Sequence, residues 1–146
     1  MKLRHIIFSG ALLLLASAPA FSQEWMRLTR YRDGYKYTFK LNEEEIQKLP
    51  SWNPETEDVP LSARKAVEIA QSNLKRLMPK TTEKWRLDGV NLSRMGVGQD
   101  KWIYEIEFLA EEIRMDSDFS FTIFVKMDGT IVEPEVVPDD GKSRIY

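Results

Sequence analysis

Once an N-terminal leader is set aside, the side chains left to do chemistry are carboxylates, lysines and tyrosines. The chain has one His, His5, and no Cys, and His5 lies in the stretch read below as a leader. A mature protein without either residue has no Ser-His-Asp or Cys-His nucleophile, no zinc site built on His or Cys, no covalent haem and no disulfide. Carboxylates cluster at Glu55, Glu57 and Asp58, and again at Glu111, Glu112, Asp116 and Asp118. Calcium takes several carboxylate oxygens, but neither cluster has the spacing of a calcium loop, so solvated charge is the expected role. Glu105 and Glu107 are a pair of the kind that acid-base catalysis uses. Alternation puts them on the outer face of a strand, where no pocket is implied, so an enzyme working only through carboxylates or Tyr is the least favoured reading. No catalytic, cofactor-binding or metal-binding residue is expected.

The aromatic residues offer binding rather than chemistry. Trp52 lies in SWNPETEDVP, a loop bracketed by prolines, where it could anchor a partner or fold back as a lid over one end of the core. A lone surface aromatic is weak evidence of a site, which favours the lid. Tyr31, Tyr35 and Tyr37, close to Arg30 and Arg32, could line a binding strip, or one face of their strands could simply join a sheet. Trp52, Tyr31, Tyr35 and Tyr37 are the candidate partner-binding residues.

The elements that must position these side chains follow from the order of the chain. Residues 1–22 of the opening MKLRHIIFSGALLLLASAPAFSQ carry Lys2 and Arg4, an apolar run from Ile6 to Ala16, and small residues at Ala18, Ala20 and Ser22. That is the layout of a cleaved secretory signal, with cleavage expected after Ala20 or Ser22 and a secreted or periplasmic product. The apolar run is too short to span a bilayer as a helix, so no membrane insertion is expected after cleavage. Removing 22 of the 146 residues leaves 124, enough for one core. Losing Lys2 and Arg4 takes the formal charge from −2 to −4. A mildly acidic chain without a basic block argues against nucleic acid as a partner.

Residues 23–60 read as a hairpin, a short helix and a loop. Asp33-Gly34 is a favoured two-residue turn, after which Tyr35, Tyr37, Phe39 and Leu41 alternate with polar residues. Asn42 with Glu45 three residues later forms a capping box for a helix over 42–49, and Pro50 ends it. LSARKAVEIAQSNLKRLMP, residues 61–79, is the clearest element: Ser62 caps, and Ala63, Ala66, Val67, Ala70, Leu74, Leu77 and Met78 share one stripe. The period then changes to two. Strands are expected over 85–95, with an irregularity at Asp88-Gly89, over 101–109 and over 118–126, with a further turn at Asp128-Gly129. Trp102, Tyr104, Ile106 and Phe108 share one strand face, and Phe119, Phe121, Ile123 and Val125 another; both should meet the helix stripe. Residues 135–146 show no period and are expected to be a loose tail. The fold class is therefore α+β, one long amphipathic helix on an antiparallel sheet of three to five strands, with an N-terminal β-hairpin.

The helix LSARKAVEIAQSNL, the strand KWIYEIEF and the closing FTIFVKMDGTIVEP together resemble the PepSY-like domains of exported bacterial proteins. Ser62, Ala63, Ala66, Ala70, Tyr104, Glu105, Phe124, Val125, Asp128 and Gly129 carry the resemblance, which covers about residues 61 to 134. It implies a small α+β module of the kind found in propeptides of thermolysin-like metallopeptidases, one that binds or inhibits peptidases and has no catalytic residue of its own. The long 110–118 connection and the N-terminal hairpin depart from the simplest members. The partner implied is an envelope or secreted protein, a peptidase among the possibilities. The alternative is a small-ligand or glycan binder using Trp52 and the hairpin tyrosines.

Overall fold

A computed structural model describes residues 24–79, 84–96, 100–111 and 118–141. The expected signal with its cleavage site, Glu112, Asp116 and the tail after residue 141 lie outside the described residues. β1 (Glu24–Arg32) and β2 (Tyr35–Asn42) form the hairpin. Its turn is the one expected: Asp33 and Gly34 have φ of 51° and 77°, left-handed values that Asp tolerates and Gly adopts freely. α1 (Glu43–Gln47) begins at the capping box, where the Asn42 side chain accepts from the Glu45 amide and the Glu45 carboxylate accepts from the Asn42 amide, each at 2.9 Å. α2 (Ala63–Leu77) starts where Ser62 Oγ accepts from the Lys65 amide at 3.2 Å.

β3 (Trp85–Met95), β4 (Lys101–Ala110) and β5 (Ser120–Lys126) follow as an antiparallel sheet in that order. The register shift between Leu87 and Gly89 is the irregularity expected at Asp88-Gly89. Tyr104, Ile106 and Phe108 of β4 stand opposite Val125, Ile123 and Phe121 of β5, making one continuous apolar face. α2 packs on β4 and β5 and buries Ala66, Ala70 and Leu74. Tyr104 Oη donates to the Leu61 carbonyl at 2.8 Å, tying the start of the helix to the sheet. The aromatic face of KWIYEIEF is thus largely core. Because Ala70 is fully buried, the helix lies close to the strands there. Ala70→Leu should destabilise the fold by about 1–3 kcal/mol through overpacking, read as a lower denaturation midpoint with an unchanged slope.

The architecture is α+β with two antiparallel three-stranded sheets, β1-β2-β6 and β3-β4-β5, where the sequence led us to expect one sheet with an appended hairpin. Two further expectations are corrected. Residues 135–138, expected to be loose, form β6 (Glu135–Pro138), which pairs antiparallel with β2 from Tyr35↔Pro138 to Thr38↔Glu135. All its side chains are exposed, so backbone pairing holds it and leaves no pattern in the sequence; Lys40 Nζ adds an ion pair to Glu135 at 2.6 Å. Phe119, expected in the core stripe, is 59 % exposed and precedes β5, whereas Phe124, outside that stripe, is buried. The reason is β2. Phe39 sets its ring against both Phe121 and Phe124, at 5.8 and 5.5 Å, edge-on in each case. Alternation puts those two residues on opposite faces of β5, so the Phe39 ring reaches side chains from both. One apolar core runs through both sheets and both helices.

Candidate functional site

The C-terminal end of α2 and the start of β3 leave a groove. Gln71, Leu74, Lys75 and Met78 fall on one helical stripe, and Met78 leaves helical geometry before Pro79 ends the element. Lys84 and Trp85 form the facing wall, and Phe108 and Glu111 complete a cavity of about 660 Å³. This lies within the range of ligand pockets, roughly 300–1,000 Å³, which pair an apolar lining with a few polar groups. Met78 and Pro79 separate it from a neighbouring cavity of about 180 Å³, lined also by Asp33, Tyr35, Tyr37, Leu77 and Val136. The two cavities together run from the hairpin, past the end of the helix, to the β3–β4 edge.

The groove wall is tied to the hairpin. The Arg32 guanidinium lies over the Trp85 ring, 5.2 Å from its centroid, and the Trp85 and Phe121 rings meet edge-on at 6.3 Å. Arg32 Nη1 donates to the Asp118 carbonyl at 2.8 Å. Asp118 in turn accepts from the Tyr31 amide through Oδ2 at 2.8 Å and donates its own amide to the Tyr31 carbonyl at 2.9 Å. Burial, with the Asp33 carboxylate and Tyr35 nearby, pushes the Tyr37 phenol up, so it stays a neutral hydroxyl at the edge of the smaller cavity.

The candidate aromatic residues separate into three settings. Tyr35 and Tyr37, two apart on β2, line the smaller cavity together. Tyr31 lines neither cavity, and its backbone is held by Asp118. Trp52 is only 8 % exposed, edge-on to Trp102 at 5.5 Å, and its indole N–H donates to the Glu57 carbonyl at 3.2 Å. Its amide donates to the Asp100 carbonyl at 2.8 Å, beside the Ser51–Lys101 bridge. Trp52 is therefore part of the buried core cluster.

Among the described residues the carboxylates do not assemble. Glu55, Glu57 and Asp58 are exposed, Asp118 is engaged with the hairpin, and no group of three or more potential metal ligands occurs among the described residues. No described helix is long and apolar enough to cross a membrane. Of the groove residues, Gln71, Lys75, Lys84 and Trp85 were not singled out by the sequence, and Glu111 only as a member of an acidic cluster. Each is ordinary where it stands, and only the placement of the helix end over β3 and β4 brings them together. No protein-family model matches the chain, and no curated protein or solved structure is significantly similar to it.

Proposed function

We propose that this chain is an exported, non-enzymatic binding protein, PepSY-like over about residues 61 to 134, whose groove receives a segment of an envelope or secreted protein. A peptidase is the partner class that the family resemblance favours, with inhibition as the outcome. The groove carries the reading: about 660 Å³, walled by Leu74, Met78, Trp85 and Phe108 and edged by Gln71, Lys75, Lys84 and Glu111. Such a mix suits recognition through a buried apolar anchor with a polar rim. The leader zones of residues 1–22 support export, and the lack of His and Cys beyond His5 supports a role without turnover.

The test is co-purification of tagged mature protein from the envelope and culture fluid of its own host. One near-stoichiometric protein should be retained, and a metallopeptidase in that position would support inhibition. Gln71 is exposed on α2 and lines the groove, so Gln71→Trp plugs the site without touching the core; it should cut retention by roughly tenfold or more. Turnover of a substrate that is lost on changing a single carboxylate would overturn the reading. The cavity lined by Tyr35 and Tyr37 favours a second reading, a small-ligand or glycan site. Sugar binding that Tyr35→Ala abolishes would select it over the first.

A further inference from the structure

We infer that the groove reads the free C-terminus of an extended protein segment, its terminal carboxylate held by Lys75 and Lys84 and its large apolar last side chain set against Trp85 and Phe108. This deepens the proposed function and rests on the groove being the binding site. Several basic groups elsewhere on the surface are spent on carboxylates: Lys48 on Glu44, Lys65 on Glu68, Arg76 on Glu133 and Arg94 on Asp100. Lys75 and Lys84, on opposite walls of the groove, make no ion pair among the described residues, although Glu111 shares the rim. The Glu111 backbone is tied to the residue ahead of β3, its amide donating to the Lys84 carbonyl at 3.0 Å. Two ammonium groups beside an apolar lining call for an occupant that is apolar at one end and anionic at the other, and among the described lining residues Glu111 is the one carboxylate, which leaves an excess of one positive charge there. The groove is open to solvent, and Gln71, Lys75, Lys84 and Glu111 are among its lining residues. A peptide backbone can use those polar groups, whereas an acyl chain would leave much of its length in water.

The probe is a fluorescein-labelled tetrapeptide, Gly-Gly-Ala-Phe, with a free C-terminus, compared by anisotropy with its C-terminal amide against the whole purified protein. The acid should bind roughly five- to tenfold more tightly than the amide at low salt, the preference shrinking as salt is added. Lys75→Glu combined with Lys84→Glu, both exposed positions, should erase that preference and leave circular dichroism unchanged. A preference that survives the charge reversal overturns the inference, and so does tighter binding of dodecanoate than of the acid peptide. Equal binding of acid and amide that Gln71→Trp removes overturns the carboxylate reading alone and leaves the groove as the binding site. Failure of both peptides to bind, together with a co-purified partner that Gln71→Trp does not release, overturns both.

Discussion

Phe39→Ala should cost about 3–5 kcal/mol of folding stability, enough to leave a domain of ordinary stability partly unfolded. Phe39 is 0 % exposed and sits where the two sheets meet. The neighbours of β2 within its own sheet are β1 and β6, so its junction with β5 depends on side chains. The Phe39 ring supplies two edge-on contacts there, with Phe121 at an interplanar angle of 70° and Phe124 at 64°; Tyr37 adds a third against Phe121 at 5.2 Å. Such ring pairs contribute about 0.5–1.5 kcal/mol each beyond the area they bury. Phe39→Leu keeps most of the volume and loses the ring geometry, so it should cost less, about 1–2 kcal/mol. Denaturant titration of the two variants separates the effects. An Ala variant within about 1 kcal/mol of the parent would mean that the sheets are joined elsewhere.

The features legible in the sequence are those whose cause is local. Asp33-Gly34 announces its turn because few residue pairs accept two positive φ values. Asn42 with Glu45, and Ser62 ahead of an Ala-rich stripe, mark helix starts because their side chains cap backbone amides within three residues. The face of Tyr104, Ile106 and Phe108 was legible from period two alone, because α2 covers it from one side. Phe124 was not. Its strand is covered on the second face as well, by residues more than eighty positions away, and alternation cannot report a second cover. β6 escaped for the opposite reason: its side chains all face water, and the pairing that holds it is backbone to backbone. The groove belongs to this second kind. Lys75 reads as a helix-end charge and Trp85 as a strand start, and nothing within ten residues of either indicates that they face each other across a cavity.

Arg32→Met should destabilise the protein by about 2–4 kcal/mol and weaken groove binding as well, although Arg32 lines neither cavity. The side chain is 1 % exposed, unusual for a residue that is always charged. Its Nη1 donates to the Asp118 carbonyl, and its flat guanidinium lies over Trp85. A hydrogen bond from a charged group contributes about 1.5–3 kcal/mol and a desolvated cation–ring contact up to about 2 kcal/mol, which sets the scale of the loss. Met keeps the length of the apolar stem and loses both, leaving the Asp118 carbonyl short of a donor. Arg32→Lys should fall between the two, because an ammonium can reach the carbonyl but has no flat face to lay on an indole. If the stacking is what fixes the groove wall, Arg32→Met and Trp85→Leu will not add. A double-mutant cycle should show coupling of about 0.5–2 kcal/mol, and peptide affinity should fall in Arg32→Met about as far as in Arg32→Lys. Additive costs would separate the two roles: Arg32 would hold the hairpin to Asp118, and Trp85 would owe its position to Phe121 alone.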